Sequence, residues 1–303
     1  MRYTVQTRML GKTGLEASQL GMGLFQIGEL TGADAQRRVD TLLNTALDNG
    51  INFLDTAACY SASEDYIGNA VSSRRNEYIL ATKTGHPTND LEGEHWSADL
   101  VEHSVERSLR RLKVDELDIL QIHSCGMEFL EKGDVIEALI KAKQAGKTKF
   151  IGYSGDNEAA QWAVDSGIFD TLQTSFNMVD QRARYKLLAS AKKQDMGVII
   201  KRPVGNTVWG EMRTTGPGNY VERANAMAQG GLVDGAPDDA VELALGFLFA
   251  HEEIDTAIVG TTNVHHLLSN KSIIEDKRDL PTDVIDEIHR RFDELDNDWY
   301  QQM

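Results

Sequence analysis

Only two cysteines, Cys59 and Cys125, occur in the 303 residues. That is too few for a disulfide scaffold, which excludes the small disulfide-stapled class and fits a reduced cytoplasmic compartment. Basic charge is also scarce: Lys plus Arg total 31 against 47 for Asp plus Glu, a net charge of −16. A field of that sign repels nucleic acid and anionic membrane surfaces, so any phosphate ligand must be held by local groups. No apolar run approaches a membrane span. Met1 to Leu10 alternates polar and apolar residues instead of joining a basic start to a continuous apolar stretch, so no signal peptide is expected.

What is there is a globular composition, 41% hydrophobic and 26% charged, with enough apolar material for a real core. The length admits one large domain or two ordinary ones. A turn at Gly11-Lys12-Thr13-Gly14 between Thr7 to Leu10 and Leu15 to Ser18 predicts an N-terminal β-hairpin, a lid before the main fold. Short apolar strands then alternate with helical patterns. The strands are expected at Leu20 to Ile27, Ile51 to Asp55, Tyr78 to Lys83, Leu117 to His123, Lys149 to Tyr153, Thr171 to Ser175, Gly197 to Lys201 and Thr256 to Val259.

Between them, Val39, Leu42, Leu43, Ala46 and Leu47 share one helical face, and Ser97 can cap a helix facing inward through Leu100, Val101, Val105, Leu109 and Leu112. Further helices are expected at Ser63 to Val71, across Val135 to Ile140, at Asn157 to Ser166, Arg182 to Gln194 and Asp238 to Ala250, with a last amphipathic one from Val284 to Leu295. The rhythm breaks once, in a long loop from Pro203 to about Pro237. Strict βα alternation that closes at eight, with no second composition regime and no linker, predicts one (β/α)8 TIM barrel over residues 1–303. The competing doubly wound sheet would need a dinucleotide fingerprint. Gly21 to Gly23 lacks its third glycine and an immediate helix, and Gly146-Lys147-Thr148 is no P-loop because Lys141 stands where its first glycine belongs.

In such a barrel the C-terminal strand ends face one mouth. Strand two ends in Asp55 with Tyr60 just beyond, strand three in Lys83, and strand four in His123. Each has an ordinary alternative: a capping acid, a rim tyrosine, a snorkelling lysine, a satisfied histidine. Four such groups on three neighbouring strands point to a site. A phenol near its reference pKa of about 10 is a reluctant acid-base group, and moving it three units costs roughly 4 kcal/mol. A cation about 4 Å away supplies that order of energy, so Lys83 can tune Tyr60, with Asp55 keeping Lys83 charged. His123 would orient an incoming oxygen. The set suits donating a proton to an oxygen that is becoming an alkoxide, or the reverse. It holds no obvious nucleophile and no metal-ligand spacing, which disfavours covalent or zinc hydrolysis. Cys59 and Cys125 adjoin Tyr60 and His123, and packed thiols are the preferred reading over a redox or metal role.

These pieces resemble the aldo-keto reductase family along essentially the whole chain: L-G-K-T-G-L with the G-M-G strand, N-F-L-D-T-A-A-C-Y, A-T-K-T-G, L-D-I-L-Q-I-H-S, G-Y-S-G, L-Q-T-S-F-N and V-G-T-T-N-V-H-H-L-L-S-N. The resemblance implies hydride transfer from a nicotinamide to a carbonyl carbon while Tyr60 protonates the oxygen, with Asp55, Lys83 and His123 completing the tetrad. It places Ser154 and Gln173 at the nicotinamide carboxamide, with Gly155 where many members carry Asn. After strand seven many relatives carry an aromatic that stacks on the nicotinamide. This chain has Lys201-Arg202-Pro203, a basic pair that either meets the diphosphate or pairs with acids.

The adenosine end is expected against Gly260 to Asn270, beside a helix N-terminus near Val264. Gly260 and His266 occupy the positions where NADPH-selective relatives place a lysine and an arginine. Thr261, Thr262, His266 and backbone donors then hold the phosphate, so NADPH is the expected cofactor and NADH its rival. His265-His266 is no metal pair, because adjacent helical residues face different ways. Phe25, Trp96, Phe129 and Trp209 are expected pocket walls for a small-molecule carbonyl substrate, and the 203–237 loop its lid. Two alternatives share these features: an NAD-dependent sugar or alcohol dehydrogenase, and a cofactor-sensing regulatory subunit.

Overall fold

The computed structural model describes residues 5–207, 220–276, 279–296 and 299–301. Eight parallel strands close into a barrel: β1 (Leu20–Gly23), β2 (Phe53–Asp55), β3 (Ile79–Thr84), β4 (Leu117–His123), β5 (Thr148–Ser154), β6 (Thr171–Ser175), β7 (Gly197–Lys201) and β8 (Thr256–Gly260), with β8 pairing back onto β1. The outer helices that follow the strands are α1 (Ala35–Asp48), α2 (Ser63–Val71), α3 (Ala98–Leu112), α4 (Asp134–Gln144), α5 (Asn157–Asp165), α6 (Leu187–Lys193), α7 (Ala240–Phe249) and α8 (Val264–Asp276). Their apolar stripes face the sheet: Val39, Leu42, Leu43, Ala46 and Leu47 on α1 are all buried. Ser97 caps α3 by accepting from the Leu100 N–H, and Asp239 caps α7 by accepting from the N–H groups of Val241 and Glu242. None of the helices among the described residues is long and apolar enough to cross a membrane.

Side chains alternate across a strand, and this period builds the barrel interior in layers. The lower layer is apolar, with Phe53, Ala81, Ile119, Ile199 and Ile258 in one buried cluster. Two residues further along the same strands stand Asp55, Lys83, Gln121, Lys201 and Gly260. The interior therefore turns from apolar to polar toward the mouth. Below it, the N-terminal hairpin of Thr7–Met9 and Glu16–Ser18 closes the opposite end, with Leu10 seated in the lower cluster. Gly11 has φ +48°, and a Cβ there would stand 2.4 Å from the backbone N of Gly197, so the turn can press against β7 only as glycine. The hairpin is thus a floor rather than a lid over the site.

Three expected boundaries shift. The apolar run Leu20 to Ile27 is not one strand: it stops at Gly23, and Phe25–Gly28 form one helical turn. The segment Arg182 to Gln194 divides into a 3-10 turn at Arg182–Tyr185 and α6, because Lys186 leaves the helical region with ψ −45° at φ −148°. The stretch after β7 is not all loop. It carries the helix Tyr220–Ala228, whose Tyr220 is buried and donates to Asp180 Oδ2 at 2.7 Å. The helix Thr282–Leu295 closes the fold, and Trp299 to Gln301 return toward the mouth, where Gln301 donates to the Ser175 carbonyl at 2.7 Å.

Candidate active site

Asp55 and His123 arrive at the mouth as strand ends, Lys83 one residue before the end of β3, and Tyr60 in the turn after β2. Gly28 makes that turn possible: a Cβ on it would lie 2.2 Å from the Tyr60 carbonyl oxygen. Lys83 Nζ donates to Asp55 Oδ2 at 2.5 Å and to the Thr56 carbonyl at 2.8 Å, both residues being almost fully buried. The other carboxylate oxygen, Asp55 Oδ1, accepts from Gln173 Nε2 at 2.7 Å and Gln121 Nε2 at 3.2 Å. The ammonium lies 5.1 Å from the Tyr60 ring centroid, and the Tyr60 and His123 rings meet edge-on at 5.7 Å. The four expected groups therefore stand together.

Burial strongly opposes the charge on Lys83, but Asp55 and then Tyr60 outweigh it and hold the ammonium above its ordinary pKa. For Tyr60 the balance differs from the expectation. Burial pushes its phenol up, and Lys83, the largest opposing influence, does not overcome it. The phenol is thus held protonated through neutral pH, which suits a proton donor. His123 is held well below its usual pKa, first by burial and then by Lys83. Its imidazole is neutral, with Nδ1 3.5 Å from Cys59 Sγ, leaving Nε2 for an incoming oxygen. Burial also raises the Cys59 and Cys125 thiols, and both cysteines are free. That is the behaviour of packed thiols, not of reactive thiolates.

The walls gather around this centre. Phe25, half exposed, meets Tyr60 edge-on at 5.1 Å. Trp96 packs on Phe129 at 4.8 Å and donates its indole N–H to the His123 carbonyl at 2.9 Å, which ties the loop after β3 to the end of β4. Trp209 lies outside the described residues. Two polar groups here escaped the sequence reading. Gln121 was hidden as one polar residue in an apolar strand, and its inward register two residues before His123 is the signal that could have found it. Asp156, two residues past β5, is the other.

Residues 19–291 match the sequence model described as the Aldo/keto reductase family. The chain belongs to that family. Among aldo/keto reductases and their kin, it is 29% identical over 296 residues to L-galactose dehydrogenase of Arabidopsis thaliana, covering 92% of this chain and 91% of the relative. It is 28% identical over 283 residues to the uncharacterized oxidoreductase YqkF of Bacillus subtilis, covering 88% and 90%. A putative aldo-keto reductase structure from Pseudomonas aeruginosa superposes with a TM-score of 0.73 at 27% identity, covering 91% of this chain and 98% of that one. The holo form of an aldo-keto reductase from Bacillus halodurans, at 24% identity, shares the fold with a TM-score of 0.79 over 95% and 96% of the two chains. As a family member this protein is an NAD(P)H-dependent reductase acting on small-molecule carbonyls.

The positions an aldo/keto reductase would offer its cofactor lie on the other arc of the mouth. His123, Ser154 and Gln173 are level on adjacent strands, and Ser154 Oγ donates to Gln173 Oε1 at 2.8 Å. Gly155 is required by its neighbour, since a Cβ there would lie 2.4 Å from the Tyr153 hydroxyl, which donates to the Cys125 carbonyl. Lys201 pairs with Asp156 at 2.8 Å, and Arg202 donates to Ser175 Oγ at 3.1 Å, so the basic pair is drawn to an acid of its own. At the far end, Gly260 is exposed, Thr262 half-buried, Asn270 buried, and His266 exposed on the first turn of α8. Thr261 Oγ1 accepts from the Asn263 N–H, and Asn263 Oδ1 from the His265 N–H, as the helix opens. Among the described residues no group of three or more His, Cys, Asp or Glu could hold a metal ion.

Proposed function

We propose that this enzyme reduces an aldehyde or ketone to the alcohol, with Tyr60 as proton donor, Lys83 and Asp55 as its charged support, His123 as the group that orients the carbonyl, and NADPH as cofactor. The single observation that carries this is the buried Asp55–Lys83 pair at 2.5 Å beside a phenol that burial keeps protonated. The donor set fits a nicotinamide. Ser154 and Gln173 present a hydroxyl and an amide at level strand ends, and the start of α8 offers hydroxyls and backbone N–H groups suited to phosphate. When bound, the nicotinamide supplies the hydride that goes to the carbonyl carbon.

The chain's own residues handle the oxygen. Neutral His123 donates a hydrogen bond that fixes the carbonyl against Tyr60. As negative charge develops on that oxygen, Tyr60 gives up its phenolic proton, and the Lys83 ammonium stabilises the phenolate left behind. Asp55 keeps Lys83 protonated, and Gln121 and Gln173 hold Asp55 in line. The apolar walls Phe25, Trp96 and Phe129 exclude water from the exchange. At the adenosine end, Thr262, His266 and the helix N–H groups favour the 2′-phosphate of NADPH over NADH. The two free thiols support a reducing, cytoplasmic setting.

The test is Tyr60→Phe, which keeps the ring and removes only the proton donor. Aldehyde reduction is expected to fall by at least 10²-fold, the range general acids contribute, with cofactor affinity nearly unchanged. Reduction at the wild-type rate refutes the role of Tyr60, whereas cofactor binding without turnover by the wild-type protein over an aldehyde panel would make this a sensor rather than an enzyme.

A further inference from the structure

Lys201 ends β7 in register with Ser175 at the end of β6, yet its Nζ reaches Asp156 Oδ2, two residues beyond β5, at 2.8 Å. The side chain therefore spans the end of β6, the strand that carries Gln173, and its ammonium lies on the same arc of the mouth as the Ser154–Gln173 pair. Asp156 is fixed there: its carboxylate accepts from Thr174 Oγ1 at 2.9 Å, the Ser175 N–H at 2.7 Å and Ser175 Oγ at 3.2 Å. Its side chain is fully buried while that of Lys201 is 14% exposed, so the accessible end of the pair is the cation. Burial pushes Lys201 below its ordinary pKa and Asp156 acts against this; Arg202 and Lys83 add to the downward push, and Lys201 in turn acts on His123. The ammonium thus shares the field of the catalytic centre.

We infer that the Lys201–Asp156 pair discriminates between the oxidation states of the cofactor, weakening the oxidised nicotinamide relative to the reduced one. This deepens the proposed function and rests on its assignment of Ser154 and Gln173 to the nicotinamide carboxamide. The reduced ring is neutral and the oxidised ring carries a positive charge. A fixed ammonium on the same arc of a low-dielectric mouth opposes only the charged form. Such a device favours reduction and speeds release of the spent cofactor, because a ligand shifts an equilibrium only by its differential interaction with the two states.

The test measures the dissociation constants of NADP+ and NADPH by calorimetry for wild type, Lys201→Met, Lys201→Arg and Asp156→Asn, with circular dichroism to verify folding. The ratio of the NADP+ to the NADPH constant is expected to fall about tenfold in Lys201→Met, equivalent to about 1.4 kcal/mol. It should hold in Lys201→Arg, whose guanidinium keeps the charge, and fall in Asp156→Asn as in Lys201→Met, because the carboxylate that opposes the downward push of burial on Lys201 is gone. Should Asp156→Asn not fold, the two Lys201 variants decide the matter. Equal weakening of both nucleotides in Lys201→Met would make Lys201 a diphosphate ligand and overturn the inference, as would an unchanged ratio. Binding of neither nucleotide by the wild type overturns the cofactor assignment beneath it, a result distinguishable from either of those.

Discussion

Replacing Lys83 by methionine removes the ammonium from a carboxylate that has almost no access to water. Lys83 is 2% and Asp55 1% exposed. Methionine fills most of the lysine stem, so the change is mainly electrostatic. Asp55 keeps the amide donors of Gln173 at 2.7 Å and Gln121 at 3.2 Å but loses the cation at 2.5 Å. Stranding one charge of a buried pair costs about 3–5 kcal/mol. With a urea slope of about 3 kcal/mol per M, the unfolding midpoint should fall by about 1–1.7 M. The second arm adds Asp55→Asn, whose amide oxygen still accepts from the two glutamines while the stranded charge disappears. The double variant should recover most of the loss, because removing both charges of a buried pair is far less costly than removing one. A loss below about 1 kcal/mol in Lys83→Met, or a double variant no more stable than the single one, refutes the picture of a desolvated pair held by mutual charge. The single variant should also move the Tyr60 phenol further up, since the cation that opposed burial is gone and Asp55, which raises it, remains.

Other expectations are open to direct measurement. His266→Ala should weaken NADPH more than NADH in parallel titrations, and equal losses would remove His266 from phosphate binding. His289 is pushed down to about 4, first by burial and then by Arg184 and His251, the last of which faces it Nε2 to Nε2 at 3.1 Å. Its folded pKa lies below the unfolded value of about 6.5, so below that pH the unfolded chain binds a proton that the folded chain does not. This contribution is intact above pH 6.5 and lost as pH falls toward about 4. Melting temperatures taken across that window should drop on acidification, and less in His289→Gln; identical slopes for the two proteins count against it. Gly68→Ala places a Cβ 2.1 Å from the Arg111 carbonyl oxygen, backbone that cannot step aside, and should cost about 1–3 kcal/mol in thermal or urea unfolding. A neutral outcome would mean that α2 and α3 are less closely packed than described.

The alternation of apolar strands with amphipathic helices, and the polar residue that ends each of β2, β3 and β4, are one-dimensional facts. From them the eightfold barrel, the spans of β4, β6 and β7, and the gathering of Asp55, Tyr60, Lys83 and His123 were all legible, because strand period and connection order leave few ways to close such a chain. Leu24 to Ile27 misled because Leu-Phe-Gln-Ile, apolar at three of its four positions, reads equally as strand or as a helical turn, and Tyr220–Ala228 because its buried face depends on elements far away in sequence. Partnership was not written in the chain at all. Lys201 had two possible companions until the fold set Asp156 beside it, and Gln121 became part of the site only when its side chain met Asp55 across the barrel. The sign of the Tyr60 shift was likewise a tertiary matter, since burial and the Lys83 charge act in opposition, and how much water the folded mouth excludes decides which prevails.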